Sequence, residues 1–147
     1  MPIGIFNYFC FYLNFADLQP NFYNITNMEH KLNYDEENDI LVLRFTNDLF
    51  FNEVDIIARL IADFLKDKPY RQLIVVSGKG YNIENRETRE AMMDRVAKLK
   101  ITNVAYLGLS AANRMIAKVM SKTGMMKLDS DFFTDFEDAV KWLKSKR

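Results

Sequence analysis

The sequence predicts an α/β domain with an N-terminal β-hairpin. The hairpin leads into alternating strands and helices that form a mostly parallel sheet flanked by helices. Three observations carry that prediction. Leu73-Ile74-Val75-Val76 is a run of four apolar residues, three of them β-branched. A strand that is apolar on every side chain is covered on both faces, as in a parallel sheet between helix layers. From residue 28 onward, strand-like and helix-like stretches alternate in the order ββαβαβαβα, which right-handed crossovers assemble into one sheet. Finally, 49% of the 147 residues are apolar and 27% are charged, the balance of one folded domain with a sizeable core.

Residues 1–27 differ in character from the remainder of the chain. They hold 8 of the 20 aromatic residues and no Lys or Arg. The apolar run from Ile3 to Ala16 is interrupted by Asn7 and Asn14. It is too short to span a membrane and lacks the positive start of a secretory signal. The expected division is a non-conforming extension over 1–27, readable as upstream sequence outside the functional domain, and a domain over 28–147 beginning Met28-Glu29-His30-Lys31. A hydrophobic anchor or an oligomerisation arm is the alternative reading of the extension.

The first element of the domain is Lys31-Leu32-Asn33-Tyr34, which alternates as a strand does. Asp35 to Asp39 is a turn-forming cluster, and Ile40 to Phe45 is the second strand. Together they predict an antiparallel hairpin with a loop of about five residues, longer than the tightest kind. Asn52, with Asp55 three positions on, reads as the opening of a helix. Val54, Ile57, Leu60, Ile61, Phe64 and Leu65 share one face of it, and Lys66-Asp67-Lys68-Pro69 ends it.

The central strand Gln72–Ser77 comes next, then a loop to Asn82. A second helix runs from about Ile83 to Lys98. Its charges of alternating sign (Glu84, Arg86, Glu87, Arg89, Glu90, Asp94, Arg95) read as a solvated face, with Met92, Val96 and Leu99 inward. Val104 to Leu109 reads as a buried strand. Ser110 reads as the N-cap of a helix with Ala112, Met115, Ile116 and Val119 inward, stopped near Gly124. A short strand is expected near Met125 to Leu128. Thr134-Asp135-Phe136-Glu137 has the form of a capping box, opening a last helix with Phe136, Ala139, Val140 and Leu143 inward.

Several function classes are disfavoured. The 20 basic residues match 20 acidic ones, so nothing in the charge points to nucleic acid or to a membrane surface. The single cysteine, Cys10, allows no internal disulfide and is compatible with a cytoplasmic protein. The single histidine, His30, has no second histidine and no nearby cysteine. That argues against a protein-built zinc site, and His30 reads as a surface or edge residue rather than a catalytic base. Gly78-Lys79-Gly80 lacks the spacing of a nucleotide-binding P-loop. The central strand ends in Ser77, not in the aspartate a receiver domain phosphorylates, and no carboxylate pair stands out. No cofactor and no catalysis are expected.

The last third carries a family likeness. Val104-Ala105-Tyr106-Leu107 leads to Arg114-Met115-Ile116-Ala117 as an apolar strand and a helix with a basic residue near its start. Phe133-Thr134-Asp135-Phe136-Glu137-Asp138-Ala139-Val140-Lys141-Trp142-Leu143 closes with an aromatic, an acidic segment and Ala-x-x-Trp-Leu. With the leading hairpin, this resembles the STAS domain, and more specifically the small stand-alone SpoIIAA-like (STAS/SEC14-type) proteins of bacteria, over about residues 29 to 145. The resemblance implies a regulatory, protein-binding module akin to anti-sigma-factor antagonists. Those antagonists carry a phosphorylatable Ser or Thr where the helix after the central strand begins. Here that region reads Tyr81-Asn82-Ile83-Glu84-Asn85-Arg86, with Ser77 earlier and Thr88 a turn later.

In open α/β sheets, ligands bind beyond the carboxyl ends of the parallel strands. Two loops fall there: Ser77, Gly78, Lys79, Gly80, Tyr81 and Asn82 in one, and Ser110, Asn113 and Arg114 in the other. Both lead into helix N-termini, which favour an anion or an acidic side chain. Caps and tight turns alone also account for these residues. Arg114, Lys118 and Lys122 form a basic stripe on one helix, suited to an acidic protein, a lipid headgroup or plain solvation. Six methionines in the second half (Met92, Met93, Met115, Met120, Met125 and Met126) suit either core packing or an adaptable apolar pocket. The expected function is a non-catalytic interaction module with another protein as partner. The alternative is a carrier for a small apolar or amphipathic ligand, and homodimerisation stays open.

Overall fold

The structure, a computed structural model, describes residues 30–77, 83, 85–122 and 128–147, with the side chains of 120–122 left aside. The expectations for residues 1–27, for Gly78 to Asn82, for the helix stop near Gly124 and for a strand at 125–127 lie outside the described residues.

Five strands form one sheet in the order β1-β2-β3-β4-β5. They are β1 (Lys31–Asp35), β2 (Ile40–Phe45), β3 (Gln72–Ser77), β4 (Asn103–Leu107) and β5 (Asp129–Phe133). The helices are α1 (Val54–Leu65), α2 (Arg86–Lys98), α3 (Ala111–Lys122) and α4 (Phe136–Ser145). The order is the expected ββαβαβαβα. β1 pairs antiparallel with β2, with Asp35 opposite Ile40, and the other pairs are parallel.

The hairpin loop is held from within. Asp35 Oδ1 accepts hydrogen bonds from the backbone N–H of Glu37 and Asn38, at 3.1 Å each. Asp39 completes the turn with φ +55°, a conformation that aspartate tolerates better than most residues.

β3 is the middle strand, and Leu73, Ile74 and Val75 are buried. Its side chains alternate between two cores. Leu73 and Val75 join Leu41, Leu43, Ile57, Ile61 and Leu65 under α1 and α2. Ile74 joins Ile40, Val42 and Ala105 under Ala139, Val140 and Leu143 of α4. The two coverings are unequal. Strands that succeed one another in sheet order, joined by crossovers of one hand, send their connecting helices to one face. Here α1 and α2 lie on that face, and the opposite core draws its helical residues from α4.

Several element starts differ from expectation. Glu53, not Asn52, satisfies the turn before α1: its Oε2 accepts from the Phe50 N–H at 2.9 Å, across a short 3-10 turn, Phe51–Glu53. α2 starts at Arg86 rather than Ile83, because Asn85 caps it: Asn85 Oδ1 accepts from the Thr88 N–H at 2.9 Å. α4 is capped by Asp135 rather than Thr134, accepting from the Glu137 and Asp138 N–H groups. A carboxylate one residue nearer the helix reaches the same orphan donors and also meets the positive end of the dipole. β4 ends at Leu107, two residues short of the expected end. β5 is Asp-Ser-Asp-Phe-Phe, C-terminal to the expected strand; an edge strand needs no apolar run, so its pattern does not announce itself.

His30 is 1% exposed and not a surface residue. It sits edge-on to Phe45, 4.9 Å between ring centres. Its Nδ1 accepts from the Thr46 N–H at 3.4 Å, which assigns the proton to Nε2, 3.2 Å from Glu53 Oε2.

At the opposite end of the sheet, a polar floor around the buried Gln72 joins distant segments. Gln72 Nε2 donates to the Leu143 carbonyl at 2.7 Å. Gln72 Oε1 accepts from Arg147 Nε at 2.9 Å, and Arg147 Nη2 donates to the Asn38 carbonyl at 2.6 Å.

Candidate functional site

The carboxyl ends of the parallel strands form the expected rim, and one glycine sets how close its parts come. β4 passes into Gly108, whose φ is +76°. A Cβ built there would lie 2.6 Å from the Ser77 carbonyl oxygen at the end of β3. Only glycine takes this φ without strain while leaving room for that carbonyl. The structure thus brings Ser77 beside the loop that carries Ser110, Asn113 and Arg114.

Within that loop the capping role of Ser110 holds. Its Oγ accepts from the Asn113 N–H at 3.2 Å, and its carbonyl accepts from the Arg114 N–H at 2.9 Å. Arg114 does not reach out as a free cation: its Nη2 donates back to the Leu109 carbonyl at 3.3 Å. Gly78, Lys79, Gly80, Tyr81 and Asn82 lie outside the described residues. Lys118, next on the basic stripe, is exposed and stands 5.8 Å from the Phe132 ring centre. The side chain of Lys122 is outside the described residues.

The inward face of α3 is rotated from the expected one. Met115 is 68% exposed, Val119 is 58% exposed, and Ala112 is exposed as well. The half-buried residues are Asn113, Ile116 and Ala117. The last helix shows a smaller correction: Phe136 is 38% exposed, while Ala139, Val140 and Leu143 are buried as expected.

Between α2, α3 and the sheet lies an apolar cavity of about 130 Å³. Its floor is the side chains of Leu43, Leu73, Val75, Val104 and Tyr106 from β2, β3 and β4. One wall is Arg89, Met92, Met93 and Val96 of α2, and the facing wall is Asn113, Ile116 and Ala117 of α3. Met92 and Met93 thus line the cavity, and Met92 also packs against the core beneath it. Met115 points to solvent, and Met120, Met125 and Met126 are not described. Asn113, expected at the rim, also belongs to this cavity.

Arg89 was missed by the sequence reading, which placed it on a solvated charged face. The signal was present: Arg89, Met92, Met93 and Val96 fall at i, i+3, i+4 and i+7, one continuous face of a helix. Thr88, beside it, is fully buried, and its Oγ1 donates to the Asn85 carboxamide oxygen at 2.9 Å. It is therefore enclosed in the first turn of α2 and not presented as an exposed hydroxyl.

Among the described residues, no group of three or more His, Cys, Asp or Glu is placed to hold a metal ion. None of the described helices is long and apolar enough to cross a membrane.

The chain is an α/β protein, an open five-stranded sheet flanked by helices, with an apolar cavity between two of them and the sheet. The sequence model of one family, described as a domain of unknown function (DUF7793), matches residues 34–147, and the chain belongs to that family. No curated protein matches the chain.

Proposed function

We propose that this domain is a non-catalytic regulatory module, as its likeness to STAS-domain anti-sigma-factor antagonists implies, and that it binds another protein through α3. The observation that carries this reading is the apolar stripe on α3, where Met115 is 68% and Val119 58% exposed. Exposed side chains of that size on one helix face mark an interaction surface when they are contiguous. Arg114 and Lys118 flank the stripe, and α3 contains no acidic residue. The partner that fits is a protein with an acidic-rimmed apolar groove, in a helix-in-groove arrangement. The lone cysteine suits a partner met in the cytoplasm.

The test compares proteins retained from the native host by the full chain and by a double variant, Met115→Glu with Val119→Glu. A partner held by the wild type and lost by the variant, at equal melting temperature, is the expected result. Identical retained sets overturn the reading. Loss of a wild-type dimer in the variant, seen by light scattering, assigns the stripe to a second copy of this chain instead.

A second reading, a carrier for a small apolar or amphipathic ligand, is favoured by one specific observation: the cavity beside the same helix. Its apolar lining and two methionines suit an adaptable ligand.

A further inference from the structure

We infer that the cavity between α2 and α3 binds a small carboxylate-headed molecule, its apolar body on the sheet and its head held by Arg89 and Asn113. The inference rests on the carrier reading and adds to it the chemistry of the ligand's polar end.

Arg89 is the one charged group among the described residues that line the cavity. Three described arginines are half-buried: Arg71, Arg89 and Arg95. Arg71 donates to the Leu99 carbonyl at 2.8 Å, and Arg95 donates to Asp55 at 2.7 Å and Asp94 at 2.7 Å. The Arg89 guanidinium has no hydrogen-bond or ion-pair partner among the described residues, although it stands beside Met92, Met93 and Val96. A cation taken partly out of water beside an apolar surface is costly without an anion, so this position favours one that arrives with the ligand.

Asn113 lines the same cavity from α3. Its backbone N–H is engaged by Ser110, while its carboxamide has no hydrogen-bond partner among the described residues. A guanidinium pairs in a planar, bidentate way with a carboxylate, and the carboxamide N–H₂ is a donor that suits the same anion. The body of the ligand is bounded by the space. About 130 Å³ is close to the size of an apolar protein cavity of about 150 Å³ that accepts benzene. The ligand class is therefore an aryl or short aliphatic carboxylate, one ring or its equivalent in bulk, presented against Leu73, Val75 and Tyr106.

The test is calorimetric titration of the full chain with matched probes: 3-phenylpropanoate against 3-phenylpropan-1-ol, and hexanoate against hexan-1-ol. The expected result is saturable binding of an acid at least about tenfold tighter than its alcohol, the scale of a hydrogen bond to a charged group. Arg89→Gln is expected to erase that preference and leave alcohol binding unchanged. The wild-type comparison stands even if the variant fails to fold. Equal binding of acid and alcohol overturns the head-group assignment and leaves the carrier reading intact. An absence of binding by all four probes overturns both.

Discussion

Gly108 decides how the rim is built. Its positive φ is one that L side chains adopt at a cost, and the Ser77 carbonyl occupies the place a methyl group would need. Because that neighbour is backbone in a central strand, it has little freedom to move. Gly108→Ala is expected to cost about 2 kcal/mol or more. Urea unfolding measures it, and a loss below about 0.5 kcal/mol would show that the loop can relax. Tyr34 makes a prediction about pH. It is 1% exposed, and its hydroxyl donates to Asp39 Oδ1 at 3.2 Å. Burial pushes the phenol pKa well up, and the Asp39 carboxylate pushes it further. Folding therefore favours the protonated phenol. Its contribution is full below the unfolded value of about 10 and is lost as pH rises through the folded value. Stability is expected to fall progressively above about pH 10, and Tyr34→Phe to flatten that fall while costing about 1 kcal/mol at pH 7. Chemical denaturation at stepped pH from 8 to 11.5 checks both, and parallel curves for the two proteins would contradict the assignment.

Elements were legible wherever a tightly packed face wrote a period into the sequence. In α1, Val54, Ile57, Leu60, Ile61 and Leu65 are buried as their spacing predicts, because the helix lies on a closed core. In α3 the same reasoning failed by about one residue. Two stripes compete there: Ala112, Met115, Ile116 and Val119 are the more apolar, yet Asn113, Ile116 and Ala117 face inward. A helix over a cavity is not selected for apolar residues alone on its buried face, so hydrophobicity points to the wrong side. The same cause hid Arg89, a charged residue on a lining face of α2. β5 was misplaced for a different reason. Among the described strands it pairs with β4 alone, with no second one to satisfy, so Asp129 and Asp131 are tolerated where a central strand would exclude them. Cap residues were right in kind and shifted by a residue or more at α2 and α4, since Asn, Asp, Ser and Thr near a start compete for the same donors, while at α1 Glu53 took the place of the expected Asn52.

For the whole molecule, the order of elements and the central place of β3 could be read from the sequence because topology results from alternation and handedness. The candidate site was legible only at Ser77 and the Ser110 loop, which strand ends alone locate. The cavity was legible only as one of two readings of the methionines, through Met92 and Met93; its walls were not, since they depend on how two helices diverge, and that is a property of packing. The polar floor was also invisible. Gln72 in a run of apolar residues gave no sign that it would bond the Leu143 carbonyl and Arg147. Its effect is to tie the closing helix to the middle strand and, through Asn38, to the hairpin turn.

The lopsided covering of the sheet has a bearing on how the chain matures. Ile40, Val42, Ile74 and Ala105 are made long before α4, so among the described residues a nascent chain carries an oily plane with no helix to shield it until Leu143 emerges. A polypeptide stopped after Phe133 is expected to bind the dye ANS strongly and to sediment when expressed, and one that stays clear and dye-silent would show that the other layer suffices. Quality control that acts during synthesis would therefore meet this protein at its last helix.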